Sequence, residues 1–519
     1  MISLILRKRT VFFSCAALLL WSLSSEAAPN KPVRFKDVVE KAQLLSEKPF
    51  LDASSNLPDV LKKIGYDEWR DIRFNTAKSL WAGEPFSVQF FHLGGLFQEP
   101  VIINSITKDN TARIPFSADF FDYTQSKSTH YGQLPDDLGF AGFRVHYPIN
   151  SAGYADELIS FLGASYFRAL GKNLAYGISA RGLAIDIAEL SGEEFPYFRE
   201  FWIIKPAPKA KELSFYALLE SESLTGAYSF VVRPGEETLV KVRSVLFFRK
   251  KIRKLGLAPL TSMFFYGENT NAKPSTDFRP EVHDSDGLLI QETSGEWTWH
   301  PLINPETLLL NSFGGGQPLG FGLLQRDINF DHYQDLEARY DKRPSVWISP
   351  TSDWGPGHIE LLQIPTENEF NDNIGAYWVI DKSFEPGQSF EYAYDMKWHA
   401  ASRKLSPLAT IESTRIVARP ENVMFIVEFV SDPTQNNISA KDISADIQVL
   451  NDYTVTGSQV IENTVTGGWR LVIHVSLKRD EEGIIDRMLP DHKPSVELRA
   501  FLKKDNVPVT ETWSYTYLP

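Results

Sequence analysis

Hydrophobic and polar residues alternate along the last fifth of the chain. Apolar side chains recur there at every second position, as in Val423, Phe425 and Val427. A period of two places such side chains on one face of a β-strand, so the pattern predicts short, half-buried strands. About a hundred residues of this kind fit an immunoglobulin-like β-sandwich. The sequence therefore predicts such a domain over 412–519, after a linker over 399–411.

The longer stretch before this linker also favours strands. Leu213, Phe215 and Ala217 alternate with less apolar neighbours, and the pair Pro234-Gly235 separates two apolar runs as the turn of a hairpin would. Strands and helices do not alternate regularly, which argues against a doubly wound sheet. The predicted fold class is all-β, with one large antiparallel β-sandwich over 28–398.

Two early segments predict helices within this β-rich chain. Phe35, Val38 and Ala42 recur at a spacing of three to four residues, which places them on one face of a helix. Asn56-Leu57-Pro58 begins a second candidate helix that runs towards Ile64, because proline is favoured in the first turn.

The first 27 residues predict a Sec-type signal peptide. Arg7-Lys8-Arg9 precedes an apolar run over 11–23, and Ser25-Glu26-Ala27 supplies the small residues that a signal peptidase requires. A membrane anchor is the alternative, but the run is shorter than the roughly 20 residues that span a bilayer. We therefore expect export to the Gram-negative periplasm, with no membrane span after processing.

The composition of the chain excludes some catalytic, metal-binding and partner classes. The only cysteine, Cys15, lies in the leader within a poor lipoprotein site, so cysteine catalysis and cysteine-bound metals are excluded. The full chain has a formal net charge of −13, and removal of the basic leader makes it more negative. Such a surface repels nucleic acid, so no nucleic-acid partner is expected.

Tryptophan is concentrated between residues 281 and 398. Flat aromatic faces stack on sugar rings, so the cluster favours a carbohydrate cleft, although any single ring could instead fill the core. Trp354 precedes the turn Gly355-Pro356-Gly357 and is predicted to be an exposed sugar-stacking residue, whereas Trp378 lies in an apolar run and fits either role. The cluster consists of Trp297, Trp299, Trp347, Trp354, Trp378 and Trp398.

Polar residues occur in three blocks of the same region, at 283–287, 325–340 and 366–373. Their carboxylates suit glycosidic cleavage, in which one acid protonates the leaving oxygen and another activates water. The first block lacks the later ligands of a calcium loop. His283 and His332 belong to no recognised metal-binding motif, so neither a metal nor another cofactor is predicted.

In this order, the three blocks resemble the osmoregulated periplasmic glucan biosynthesis proteins of the G and D types. Further matching segments are Phe35-Lys36-Asp37-Val38, residues 255–264 and Asn371-Asp372-Asn373-Ile374. The resemblance implies a large mutarotase-like β-sandwich joined to an immunoglobulin-like domain. It also implies action on a β-1,2-linked glucan backbone, beside an inner-membrane glucan glucosyltransferase. The leader lacks the paired arginines of the D type, so the chain is more similar to the G type.

D-type members resemble inverting endo-β-1,2-glucanases, and matching their motifs implies a catalytic pair here. Asp372 matches the general acid, Asp284 the general base and Tyr340 a polar residue near the proton path of the base. Asp286 remains a rival base and Glu369 a rival acid. A non-catalytic glucan-binding scaffold or branching partner is the alternative function. The predicted substrate contacts are Trp347, Trp354, Trp378, Arg339, His332, Tyr333, Glu369 and Asp286.

Overall fold

A computed structural model describes nine stretches of the chain. They are residues 31–52, 57–124, 134–270, 273–401, 404–419, 422–431, 440–450, 453–477 and 495–519. The predicted leader over 1–27, with Cys15, lies outside them, as does Asn56 at the predicted start of the second helix.

The first predicted helix is confirmed as α1, Phe35–Ser46. Its apolar face, with Val38 and Ala42, packs on the outer face of a sheet against Trp202 and Leu218. The second predicted helix is confirmed in shorter form as α2 (Asp59–Lys62), which begins after Pro58. A further short helix, α3 (Tyr66–Asp71), follows the extended residue Gly65. The remaining helical segments are α4 (Phe330–Tyr333) and the 3-10 turns Thr76–Lys78, Ala118–Phe120, Tyr340–Lys342 and Ala440–Asp442.

Strands make up 49% of the structure and helices 8%, so strands dominate the regular structure as the sequence predicts. In chain order they are β1 (Arg73–Phe74), β2 (Ser87–Phe91), β3 (Ile102–Ile106), β4 (Thr111–Arg113), β5 (Phe121–Asp122), β6 (Gly142–Ser151), β7 (Tyr154–Leu162), β8 (Tyr166–Ala169), β9 (Ser179–Arg181), β10 (Ala184–Ile185), β11 (Tyr197–Ile204), β12 (Leu213–Glu220), β13 (Leu224–Arg233), β14 (Thr238–Phe248), β15 (Leu255–Ser262), β16 (Phe264–Tyr266) and β17 (Val282–His283). They continue with β18 (Gly287–Gln291), β19 (Trp297–Pro301), β20 (Leu309–Phe313), β21 (Gly320–Leu324), β22 (Ser345–Pro350), β23 (Gly357–Gln363), β24 (Ile374–Ile380), β25 (Ser389–His399), β26 (Thr410–Ala418), β27 (Asn422–Val430), β28 (Ser444–Val449), β29 (Tyr453–Asn463), β30 (Gly468–Leu477), β31 (Val496–Lys504), β32 (Val507–Pro508) and β33 (Thr512–Tyr517).

Two large sheets form the main sandwich. The first has ten strands in the order β2-β6-β7-β8-β9-β15-β24-β23-β20, with β10 beside β15. The second has fifteen strands, of which β19-β18-β21-β22-β25-β14-β13-β12-β11-β3-β4 lie before residue 400. The predicted hairpin around Pro234-Gly235 is confirmed as the antiparallel pair β13 and β14. The prediction of an all-β, sandwich-like fold is therefore confirmed.

Phenylalanines from both sheets meet in the core between them. Phe161 on β7 lies edge-on to Phe215 and Phe230 of the opposite sheet, with ring centroids 5.4 and 5.3 Å apart. Phe143 on β6 contacts Phe215 in the same way, at 5.8 Å. Each strand contributes apolar side chains at alternate positions, so the period-two pattern of the sequence builds this core directly.

The C-terminal strands form a smaller sandwich whose sheet continues into the main one. Strands β28, β31 and β33 face the four-stranded sheet β26-β27-β30-β29, and Phe425 contacts Trp513 across the gap at 5.7 Å. Strand β33 pairs in parallel with β19, where Trp299 lies opposite Trp513. Trp297, Trp299 and Trp347 of the main sandwich belong to the same apolar core as these C-terminal strands. The division at 399–411 stays a prediction.

Candidate functional site

One short segment holds the two predicted catalytic aspartates close together. The side chain of Asn373, which follows Asp372, binds the backbone of Phe264. Its Oδ1 accepts a hydrogen bond from the backbone nitrogen of Phe264 at 2.8 Å, and its Nδ2 donates to the carbonyl of Phe264 at 3.0 Å. The backbone nitrogen of Asp284 donates to the carbonyl of Met263 at 2.8 Å. Asp284 and Asn373, the residue after Asp372, are therefore anchored to two adjacent residues, Met263 and Phe264, at the start of β16.

Asp284 is nearly buried, with 8% of the residue exposed. Burial raises the pKa of its carboxyl to about 6; Arg343 opposes the rise, and the charge of Asp372 adds to it. Arg343 Nε lies 3.2 Å from Asp284 Oδ1, yet their relative orientation does not make a hydrogen bond. Within the described residues this buried oxygen has no hydrogen-bond donor.

Asp372 is the more accessible member of the pair, with 37% of its side chain exposed. Partial burial raises its pKa, and Arg168, whose Nη2 lies 3.9 Å away, opposes the rise. Asp284 is therefore buried and Asp372 is partly open to solvent, so the two carboxylates lie in different environments. Such a difference can support separate acid and base roles.

Asp372 lies at an aromatic groove of about 690 Å³. Phe370, two residues earlier on the same loop, is 87% exposed, and Tyr66 on α3 is 56% exposed. Trp69 is held in place by a hydrogen bond from its Nε1 to the carbonyl of His92 at 2.7 Å and by a ring contact with Phe97 at 4.6 Å. The aromatic residues that line the groove are Tyr66, Trp69, Phe97, Tyr166, Phe167, Phe195, Tyr197 and Phe370.

These aromatic residues were missed by the sequence analysis. They come from the first half of the chain and from one loop, whereas the tryptophan cluster directed attention to residues 281–398. Tyr66 and Trp69 stand three residues apart in the short segment Tyr66–Asp71, which is otherwise largely charged. Exposed aromatic residues in so polar a segment are the signal that could have indicated a binding surface.

The structure overturns the predicted role of the tryptophans. Trp354 is fully buried, because the turn at Gly355 directs the ring inward, where Nε1 donates to the carbonyl of Ala393 at 3.1 Å. Trp378 is 1% exposed on a strand that is buried on both faces. Trp347 stacks on Trp297 at 5.7 Å in the core shared with the C-terminal strands. The prediction of exposed stacking is wrong for Trp354, and all three are core residues.

Two further predicted contacts are already engaged within the protein. Tyr333 is fully buried, and its hydroxyl donates to the carbonyl of Asp327 at 3.1 Å, so its prediction as a substrate contact is wrong. Arg339 donates from Nε and Nη2 to Asp341 at 2.9 and 2.7 Å. One third of the Arg339 side chain is exposed, and its role stays a prediction.

Glu369 and Tyr340 belong to one charged network beside the aspartates. Tyr340 donates its hydroxyl to Glu369 Oε2 at 2.9 Å, and Arg279 donates to the same oxygen at 2.6 Å. Arg279 also binds Asp335 at 2.8 Å, which ties the loop of Asp372 to the second polar block. A carboxylate fixed by an arginine is a poor proton donor, so this geometry disfavours Glu369 as the rival acid.

Asp286 and His332 line a second cavity, of about 420 Å³, which shares no lining residue with the aromatic groove. The carboxylate of Asp286 accepts hydrogen bonds from the backbone nitrogens of Arg326 and Asp327, the latter at 2.7 Å. Burial raises the pKa of Asp286 to about 6. Because backbone amides hold Asp286 away from the groove, the structure places neither Asp286 nor His332 among the groove contacts.

The fold and the groove define a class of protein: an all-β sandwich with an aromatic groove that one carboxylate, Asp372, helps to line. Comparison with known sequences identifies the family. The model of the family described as "Periplasmic glucan biosynthesis protein, MdoG" matches residues 33–517. Glucans biosynthesis protein G of Ralstonia nicotianae is 44% identical over 502 residues, which cover 93% of this chain and 95% of that protein.

The chain belongs to this periplasmic glucan biosynthesis family, as the sequence motifs predict. Membership supports a role in periplasmic glucan biosynthesis. Within the described residues, no helix is long and apolar enough to cross a membrane.

The similarity of this chain to solved structures is weaker than its similarity to the family. An α-galactosidase from Lactobacillus brevis has a TM-score of 0.26 and 7% identity over 50% of this chain and 38% of its own. A galactose mutarotase related enzyme from Lactobacillus acidophilus has a TM-score of 0.20 and 8% identity, over 47% of this chain and 98% of its own. Similarity at this level carries no argument about function.

Proposed function

We propose that the chain is an inverting endo-β-1,2-glucanase acting in glucan biosynthesis. One observation carries the proposal: Asp372 opens onto a groove lined by aromatic rings, and its charge adds to the rise that burial causes in the pKa of Asp284. Aromatic rings stack on sugar faces, and paired carboxyl groups supply the acid and the base of glycosidic cleavage.

Asp372 is the proposed general acid, because it opens onto the groove. A bound glucan would displace water from its carboxyl group and raise its pKa further, which favours the protonated form. The proton would pass to the glycosidic oxygen as the bond from that oxygen to the anomeric carbon breaks. Arg168, 3.9 Å from the carboxylate, would stabilise the anion that remains.

Asp284 is the proposed general base. With a pKa of about 6 it is mostly ionised at neutral pH, and a base is most effective when its pKa lies near the working pH. Water would attack the anomeric carbon and lose a proton that reaches Asp284. We propose Tyr340 as a relay on this path: burial and the hydrogen bond to Glu369 raise the pKa of its hydroxyl most, and the charge of Asp284 adds to the rise.

Incubation of the purified chain with linear β-1,2-glucan tests the proposal, with the products separated by length and the anomeric form of the first product read by NMR. Shortened chains with inverted configuration are expected from the parent. Asp372→Asn and Asp284→Asn should each produce none. Glucan that stays at full length with the parent chain would contradict the proposed activity.

A non-catalytic glucan-binding scaffold, or a branching partner of the inner-membrane glucan glucosyltransferase, is the second candidate. The observation that favours it is the pairing of each aspartate with an arginine, at 3.9 Å for Asp372 and 3.2 Å for Asp284, since each guanidinium opposes the rise in the pKa of its carboxyl that burial causes. A scaffold would bind linear glucan without shortening it, and Asp372→Asn would leave that binding unchanged.

A further inference from the structure

The second cavity lies where the main sandwich meets the C-terminal strands. Glu281, Asp327 and His332 line it from one side, and Glu412 and Glu428 from the other. Glu281, Asp327 and His332 each offer one ligand atom, and these three atoms lie within 4.8 Å of one another. A mixed set of one imidazole and two carboxylates is a common first shell for a transition-metal ion.

Glu281 provides a second, independent observation. Its side chain is only 9% exposed, and Oε2 is engaged with His283 Nε2 at 3.0 Å. In the part of the chain that the structure describes, no other hydrogen bond reaches this carboxylate. The second oxygen of Glu281 is not fully enclosed, and because Glu281 lines the cavity, a cation bound there would give this oxygen a partner.

The neighbouring arginines are committed elsewhere. Arg326 donates to both oxygens of Glu511, at 2.9 and 3.0 Å, and Arg470 is paired with Glu428. These guanidinium groups already have partner anions, so they do not neutralise Glu281 and Asp327. His283 is the basic group that pairs with Glu281. Carboxyl groups outnumber guanidinium groups in the cavity lining, which holds Glu268, Glu281, Asp286, Asp327, Glu412 and Glu428 with Arg326, Arg415 and Arg470.

A second possible triad, formed by Glu281, His283 and Asp286, is less available to an ion. His283 is fully buried, and both of its ring nitrogens are engaged, Nδ1 with Gln325 at 3.1 Å and Nε2 with Glu281. His332 also has neighbours at both ring nitrogens, Asp327 at 2.5 Å and Asn329 at 3.4 Å, but 46% of its side chain is exposed, so its ring can turn towards an incoming ion.

We propose that Glu281, Asp327 and His332 bind a divalent zinc ion. Three protein ligands leave room for water in the fourth position of a tetrahedral site. The ion would join the segment before β17 to the loop that begins at Arg326, two segments that also lead to Asp284 and Tyr340. Sequence analysis predicts no metal, because these ligands are distributed over 281, 327 and 332 and form no compact motif. The proposal is independent of the glucanase function.

Isothermal titration of the chelator-treated full chain at neutral pH tests this site, with zinc chloride and calcium chloride as separate probes. One saturable zinc site is expected, with calcium at least tenfold weaker. His332→Gln and Asp327→Asn should each weaken zinc at least tenfold. Zinc should also raise the melting temperature of the parent and not that of His332→Gln. Because His332 is an exposed side chain, its replacement should leave the fold intact, which circular dichroism checks.

His358→Gln is the matched control. His358 lies between Asp381 and Glu360, at 3.2 and 3.4 Å, and belongs to neither triad. Zinc affinity should be unchanged in this variant. Three results would overturn the proposal: no saturable zinc binding, equal affinity in the parent and His332→Gln, or a loss found in His358→Gln instead. Preference for calcium would overturn the assignment to zinc.

Discussion

Asn373 binds both backbone groups of Phe264, and this fixes the position of the adjacent Asp372. The same side chain also donates to the carbonyl of Ile364 at 3.0 Å, which closes the base of the loop that carries Phe370 and Asp372. With only 2% of Asn373 exposed, water cannot replace these bonds easily. The position of the proposed acid therefore depends on a buried amide and not on surface contacts.

Asn373→Ala should lower both stability and cleavage. Loss of these hydrogen bonds leaves buried backbone groups unpaired, which costs about 1 to 3 kcal/mol of unfolding free energy. Misplacement of Asp372 should also reduce glucan cleavage by about a hundredfold, measured with fully folded protein at low temperature. Asn371→Ala is the control, because Asn371 is exposed and its side chain binds only within the loop. Equal effects in the two variants would contradict this role.

Asp372→Asn should abolish glucan cleavage and leave the melting temperature nearly unchanged. Removal of a general acid costs roughly a thousandfold in rate, while the amide keeps the shape of the side chain. Asp381→Asn serves as the control, since this carboxylate is 55% exposed and faces His358 away from the groove lining. If Asp372→Asn retains near-parental activity, the acid has been assigned wrongly.

Phe370→Ala should weaken glucan binding without loss of stability. One stacked ring contributes about 1 kcal/mol, which corresponds to an affinity about fivefold lower. The ring is 87% exposed, so its removal leaves no cavity in the core. Leu190→Ala removes another exposed apolar side chain, one that does not line the groove, and should leave glucan affinity unchanged.

Trp354→Ala should lower stability and leave glucan affinity unchanged, the reverse of the effects expected for Phe370→Ala. Truncation of a fully buried tryptophan costs about 3 to 5 kcal/mol of unfolding free energy. Denaturant unfolding measures this loss, while the folded fraction should bind glucan with parental affinity. An unchanged unfolding midpoint would contradict the core position of Trp354.

Local patterns predicted the strands well and the groove poorly. Alternation places Phe215 and Val427 on buried faces, because a strand has one geometric period wherever it lies in the fold. The groove, in contrast, is lined by residues such as Trp69 and Phe370, which lie about three hundred positions apart in the sequence. No local pattern predicts that such distant residues come together in the fold. Trp354 was misjudged because its turn residues indicate where the backbone bends but not towards which side the ring points.

The two aspartates were found through motif resemblance, and the structure adds what local sequence could not supply. Burial of Asp284 depends on packing around the β15–β16 connection, and its electrostatic environment includes Arg343 and Asp372, which lie far from it in sequence. Likewise, the engagement of Glu369 with Arg279 is a contact between two separate loops. Ranking rival acids therefore required the fold.

Asp284→Asn should stabilise the protein at neutral pH while it removes activity. The pKa of this carboxyl is about 6 in the folded chain, above its value in the unfolded chain, because burial disfavours the charge. A raised carboxyl pKa destabilises the fold once the group ionises, so the penalty is absent below about pH 4, grows between pH 4 and 6 and is complete above that range. The neutral amide carries no such penalty.

Two pKa units correspond to about 3 kcal/mol, so the variant should exceed the parent in unfolding free energy by roughly that amount at pH 8. The difference should shrink towards zero at pH 4, since both side chains are then neutral. Urea unfolding at the two pH values measures it, and Asp381→Asn should show no such change because that carboxylate is exposed. A difference that grew on acidification would mean that Arg343 outweighs burial, and Asp284 would then be ionised well below pH 6.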